Sequence, residues 1–118
     1  MKHNNEEYRE QICVVHYLEV IGAKFSAIPN STYTKSFAQK AINTASGLRP
    51  GLPDLFIIIK KQPFFIEMKR RKGGVVSADQ ATWISAINQC NGIKAYVCNG
   101  FDEAKIIIDK YKNLCETK

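Results

Sequence analysis

Three residues near the middle of this chain have the types and spacing needed to hydrolyse a phosphate ester: Asp54, directly after Pro53, and the Glu67-Met68-Lys69 triplet. Alternate residues of a strand share a face, so Glu67 and Lys69 point one way and Met68 points the other. A hairpin closed by Lys60–Pro63, with Ile59 opposite Phe64, sets Asp54 opposite Lys69 and Phe56 opposite Glu67. Asp54 and Glu67 are then diagonal neighbours, with Cβ atoms roughly 7–8 Å apart or less, a gap two carboxylates bridge by sharing one divalent cation. Two hard oxygen ligands, completed by water and a substrate phosphate, suit Mg²⁺ or Mn²⁺, which use only one or two carboxylates. Lys69 beside them is placed to hold the attacking water or to stabilise a pentacovalent transition state. The same cationic setting is expected to keep Asp54 and Glu67 ionised. A competing reading makes Asp54 a turn residue and Glu67 and Lys69 an exposed pair. It fits poorly, because Glu67 follows Phe64-Phe65-Ile66 and faces the apolar run Leu55–Ile59, where an unpartnered carboxylate is expensive.

These side chains need a frame. Val14, Tyr17, Leu18 and Ile21 recur at helical spacing and stop at Gly22, predicting an amphipathic helix over about Glu6–Ile21. Glu7 and Gln11 lie on the same face as Val14 and Leu18, so a carboxylate at 7 points inward; Glu6 and Glu10 are its close competitors. Residues 24–28 predict a short strand. Residues 30–53 read as a long basic loop with a weakly helical patch at Phe37–Ala45, and Tyr33 and its hydroxyls suit a nucleic-acid backbone. Residues 54–59 and 64–69 predict an antiparallel pair, the first strand apolar enough to be covered on both faces. A helix follows over about Ala78–Asn91, N-capped by Ser77, with Ile84 and Ile87 on its core side; then a strand Lys94–Cys98 and a helix Asp102–Leu114.

The chain has 118 residues, with 45% hydrophobic and 24% charged, which predicts one compact domain over 1–118 and excludes disordered or fibrous classes. Its net charge of +6 sits in the middle: Lys24, Lys35, Lys40 and Arg49 occupy residues 20–53 without a single acid. A basic centre holding a few isolated carboxylates suits a polyanion partner. The four cysteines lack any zinc-ligand spacing, and the apolar neighbours of Cys13, Cys98 and Cys115 suggest reduced, buried thiols. No apolar signal core or membrane-spanning run is visible, so a cytoplasmic location and no membrane partner are expected.

Gly51-Leu52-Pro53-Asp54-Leu55, Glu67-Met68-Lys69 and Ser77-Ala78-Asp79-Gln80 with Trp83 together resemble the VRR-NUC domain of the PD-(D/E)XK nuclease superfamily. The resemblance extends to Glu7 and Gln11, to Ile28-Pro29-Asn30, and to Tyr96-Val97-Cys98 with Asn99-Gly100. It implies an α/β, restriction-endonuclease-like core (αβββαβ) with a mixed central sheet flanked by helices. It also implies Mg²⁺- or Mn²⁺-dependent phosphodiester cleavage, and action on branched DNA by a homodimer similar to Holliday junction resolvases, as in stand-alone phage and bacterial members. On this resemblance Asp54 and Glu67 are metal ligands, the Met68 carbonyl is a further ligand, Lys69 is the catalytic lysine, and Glu7 is the first-helix glutamate. Gln80 resembles the family's helix glutamine near the site, while Ser77-x-x-Gln80 is also a capping box that explains it without catalysis.

Trp83 reads as a packing anchor, and His3 and His16 stand isolated. Charge alone nominates Lys35, Lys40, Arg49, Arg70, Arg71 and Lys72 for phosphate contacts. The leading expectation is a structure-selective DNA endonuclease in replication, recombination or repair, with replication or repair proteins as partners, in the cytoplasm of a bacterial host if phage-encoded. The alternative is a non-catalytic module that binds branched or single-stranded nucleic acid. A sequence-specific restriction-type nuclease ranks third, because no recognition domain is visible.

Overall fold

A computed structural model describes residues 5–29 and 36–115. Helix α1 (Asn5–Val20) leads into strand β1 (Lys24–Ala27), followed by helix α2 (Phe37–Ala45), strands β2 (Leu55–Ile59) and β3 (Gln62–Lys69), helix α3 (Ala78–Asn88), strand β4 (Lys94–Asn99) and helix α4 (Phe101–Lys112). The expected αβββαβ order is present, with α2 inserted between β1 and β2 and α4 appended. The strands form one mixed sheet in the order β1-β2-β3-β4, antiparallel except for the parallel pair β3-β4.

Alternation along the strands divides the sheet into two chemically different faces. Leu55, Ile57, Ile59, Phe64, Ile66 and Met68 project from β2 and β3 onto Val14 and Leu18 of α1 and Ala104, Ile108 and Tyr111 of α4. Phe64 stacks on Tyr111 with ring centroids 3.8 Å apart. Glu67 and Lys69 belong to the other face, which α3 reaches. That face is less fully covered than β2's apolar sequence implies: Ile58 remains 37% exposed, because α3 packs beside β4 and leaves β2 half open.

The hairpin is tighter than expected. Ile59 pairs with Gln62 and Leu55 with Ile66, so the register is two residues away from one that sets Ile59 against Phe64. Lys60 and Lys61 alone make the turn, both left-handed, with φ of 51° and 68°. A two-residue turn of that handedness matches the twist of the flanking strands, and this gain outweighs the poor fit of lysine to a left-handed backbone. Pro63 is tolerated inside β3, opposite Ile58, because β4 joins only at Phe64.

The cysteine expectation is corrected: Cys98 is buried, but Cys13, Cys90 and Cys115 are exposed. In α1 a turn of about 100° per residue carries Cys13 away from its buried neighbour Val14, so apolar sequence neighbours are a poor guide to burial in a helix. Among the described residues no helix is long and apolar enough to cross a membrane.

The turn geometry has a measurable cost. Lys61→Gly removes the steric penalty at φ 68° and should raise unfolding stability by up to about 1 kcal/mol in urea titrations, whereas Lys61→Ala should leave it unimproved.

Candidate active site

β3 is a central strand, and its last three residues present the chemistry. Glu67 is 1% exposed and Lys69 is 8% exposed, on one face of the sheet. Lys69 Nζ lies 3.3 Å from Glu67 Oε2. From α3, Gln80 donates through Nε2 to Glu67 Oε2 at 2.7 Å and accepts at Oε1 from Lys69 Nζ at 2.9 Å. The same Oε1 accepts from the Ser77 backbone N–H at 2.9 Å, while Ser77 Oγ accepts from Gln80 N–H. The two sequence readings of Gln80 therefore coexist, in a capping box whose side chain also reaches the sheet. With Oε2 doubly engaged, Glu67 Oε1 is buried and has no hydrogen-bond partner.

Asp54 sits one residue before β2. Its carbonyl accepts from Ile28 N–H at 2.8 Å, and its Oδ2 accepts from Met68 N–H at 2.7 Å, standing in for the ladder bond that β2 no longer supplies. Extending the Leu55–Ile66 register by one step sets Asp54 level with Glu67, closer than the diagonal placement expected from sequence. In an extended strand a residue's N–H and C=O point to the same edge, so the Met68 carbonyl is directed toward Asp54 as well.

The expectation that both acids stay ionised supposes a cation beside them; in the metal-free site burial raises both. Burial chiefly, then the Asp54 charge, pushes Glu67 up from its ordinary 4.5 to about 7, against the lowering pull of Lys69. Burial also raises Asp54, outweighing the Met68 N–H bond; Glu7 adds repulsion and Lys69 relieves part of it. Without a bound cation, desolvation prevails over one lysine.

Helix α1 divides the three glutamates of its N-terminal half. Glu6 Oε2 accepts from Arg71 N–H at 3.1 Å; Glu10 accepts from Arg71 Nε at 3.1 Å and from Phe101 N–H at 2.6 Å. Glu7, half-buried, is the one whose charge acts on both Asp54 and Glu67. Among the described residues no group of three or more His, Cys, Asp or Glu is disposed to hold a metal ion, so Glu7 faces the pair without closing a three-carboxylate cage.

The loop carrying Asp54 is fixed from α3. Gly51 has φ 105°, and a Cβ there would lie 2.6 Å from the Asp79 carbonyl oxygen, so only glycine permits this approach. Trp83 Nε1 donates to the Pro50 carbonyl at 3.0 Å, and Pro53 is fully buried. Trp83 thus anchors the Asp54 loop to the helix that also carries Gln80.

The basic side chains nominated for phosphate contacts fare unevenly. Arg71, also exposed, has its guanidinium bound by Glu10 at 3.1 Å and Asp102 at 3.2 Å, acids distant in sequence that charge counting could not pair with it. Arg70 Nη2 donates to the Gly73 carbonyl, and Arg49 Nη1 to the Thr44 and Leu48 carbonyls; both remain exposed, as do Lys40 and Lys72. Lys35 lies outside the described residues, as do Asn30, Tyr33 and His3. Sequence reasoning missed the Glu6–Glu10–Arg71 clamp, for which the spacing of Glu6 and Glu10 by one helical turn was the available signal.

Two outcomes test this geometry. Glu67 titrates near 4.5 when unfolded and about 7 when folded, so the metal-free fold binds its proton more tightly. The resulting stabilisation, on the order of 3 kcal/mol, is fully present below about pH 4.5 and is lost as pH rises through about 7. In EDTA, Tm should fall between about pH 5 and 8, and Glu67→Gln should flatten that fall. Gly51→Ala should destabilise by at least about 2 kcal/mol by denaturant unfolding, combining a left-handed backbone with a clash.

The model of the VRR-NUC domain family matches residues 2–102. A solved structure described as a "VRR_NUC domain protein" superimposes with a TM-score of 0.71 over 100% of this chain and 96% of its own, at 24% sequence identity, which supports the α/β fold with its four-stranded mixed sheet. No curated protein matches the sequence. With the family model spanning most of its length, the chain belongs to the VRR-NUC domain family, and its function is of the nuclease type, with DNA as substrate.

Proposed function

We propose that this protein is a divalent-metal-dependent, structure-selective DNA endonuclease acting at Asp54, Glu67 and Lys69. The observation that carries the reading is Glu67 Oε1, a buried carboxylate oxygen without a hydrogen-bond partner, level with a second carboxylate whose charge it opposes. A buried anion in that state is costly unless a cation completes it. Hard oxygen donors from Asp54, Glu67 and the Met68 carbonyl fit Mg²⁺ or Mn²⁺, with Glu7 adding negative potential behind them. When bound, the cation supplies Lewis acidity at the scissile phosphate and lowers the pKa of a nucleophilic water.

The chain's own residues do the rest. Lys69 Nζ, held by Gln80 Oε1 and Glu67 Oε2, is fixed within the site, where it can orient the attacking water or donate to a non-bridging phosphate oxygen. Gln80 acts as a positioning residue, keeping Lys69 and Glu67 in register through the α3 cap. Arg70 and Lys72, exposed immediately after the catalytic strand, suit phosphate contacts that fix the register of the duplex without reading bases. Selection by DNA shape, as in a Holliday junction or flap met during replication, recombination or repair, follows from contacts of that kind. Symmetric cutting of two strands calls for two sites, which a C2 homodimer supplies.

Cleavage of four-way junction, flap and linear duplex DNA tests the reading. With Mg²⁺ or Mn²⁺ the wild type should cut branched substrates, and Asp54→Ala, Glu67→Ala and Lys69→Ala should each lose at least about 100-fold in rate while still binding DNA. Activity surviving in all three variants, or in EDTA, refutes the assignment. Salt-sensitive binding without cleavage under any divalent metal identifies a binding module instead.

A further inference from the structure

Helix α2 has the composition of an interaction element and none of the packing of a structural one. Every large apolar side chain in it faces water: Phe37 is 86% exposed and Ile42 59%, and the helix buries no residue. It is nonetheless fully built. Ser36 Oγ accepts from Gln39 N–H at 3.1 Å, Gln39 Nε2 donates to Asn43 Oδ1 at 2.8 Å, and Ser46 closes the last turn on the Ile42 carbonyl. A nine-residue helix is marginal on its own in water, so a capped helix that stabilises nothing in the core is kept for what it contacts.

Its charge indicates the occupant. Residues 20–53 contain no acid, and the face that carries Phe37 also carries Lys40 and Thr44, one and two turns on. Lys40 Nζ sits 5.9 Å from the Phe37 ring centroid. Beside it, Lys40, Asn43, Thr44 and Leu48 line a cleft of about 240 Å³, at the small end of ligand sites and too small for a packed helix. Arg49, which donates through Nη1 to the Thr44 and Leu48 carbonyls, adds a second cation at the helix C-terminus. An exposed aromatic face, flanking cations, amide and hydroxyl groups and a segment without acids match the recognition of an unpaired nucleotide: the base stacks on the ring, and its phosphate meets the cations. A second copy of the chain would bring the same positive charge against itself.

The helix is also tethered to the catalytic loop. The segment from Ser46 to Pro53 ends at Asp54, and its Pro50 and Gly51 are fixed to α3 through Trp83 and Asp79. We infer that α2 is a substrate arm that holds an unpaired nucleotide of the DNA being cut, Phe37 stacking on the base and Lys40 contacting the backbone. This deepens the endonuclease reading and rests on it for the cut, but binding itself needs no metal or cleavage.

The test therefore separates the two. Equilibrium binding in EDTA compares a blunt duplex with the same duplex carrying an unpaired tail, using the full chain and Phe37→Ala, Phe37→Trp and Lys40→Ala variants. Phe37→Ala should weaken binding of the tailed substrate by about 5- to 100-fold while changing blunt-duplex binding by less than about 2-fold. Phe37→Trp should preserve tailed binding, and 2-aminopurine in the tail should report stacking that Phe37→Ala abolishes. Lys40→Ala should reduce the salt dependence of binding. Since Phe37 is unburied, none of these changes threatens the fold. Equal loss on both substrates, unchanged tailed binding, or conversion of a dimer to a monomer by Phe37→Ala overturns the inference. Cleavage of branched DNA with tailed binding unaffected by Phe37→Ala leaves the endonuclease reading standing alone, and Phe37-dependent binding without cleavage leaves the arm standing alone.

Discussion

The placement of one carboxylate inside a sheet governs much of this structure. Glu67 lies on a central strand, where nearly every competing side chain is apolar, and its burial is opposed by Asp54 across the register and by Glu7 from α1. Hydrophobic packing of the opposite face supplies what holds β3 in place regardless. Met68 and Ile66, on either side of Glu67 in sequence, are anchored beneath α1 and α4 and cannot move without opening the core. The alternation of a strand thus lets stability on one face sustain frustration on the other, and frustration of that kind is concentrated where function lies.

Few groups regulate that frustration, and each has more than one task. Gln80 terminates the N-terminal turn of α3 and at the same time joins Lys69 to Glu67, so the helix cap and the site are one hydrogen-bond network. Asp54 supplies both a negative charge and the acceptor that completes Met68's backbone. α1 separates roles by angle: Glu6 and Glu10, a turn apart, bind the backbone beyond β3 and the start of α4, while Glu7 turns toward the acids.

Much of this was legible in the sequence because periodicity and turn chemistry report local geometry. The two-residue alternation of Glu67, Met68 and Lys69, the Ser77 cap and the Gly22 stop all predict what is found. Register was less legible: Lys-Lys-Gln-Pro reads as a four-residue turn unless one grants two successive lysines a left-handed backbone. Moving the pairing by two residues keeps every side chain on its face, which is why Asp54 and Glu67 came together despite the wrong partners. The fate of Arg71 was illegible for a different reason, since its partners Glu10 and Asp102 are brought to it only by the packing of α1 and α4. Charge counting locates a basic segment but says nothing about which cations tertiary structure has already spent.

The Arg71 clamp also bears on how much of the chain the site requires. Glu10, Arg71 and Phe101 come from three distant parts of the sequence, and β3 gains its parallel neighbour only when β4 exists. Such non-local closure carries a loop entropy that local contacts do not. Asp54, Glu67 and Lys69 therefore gain their full set of neighbours only in a chain that includes residue 101.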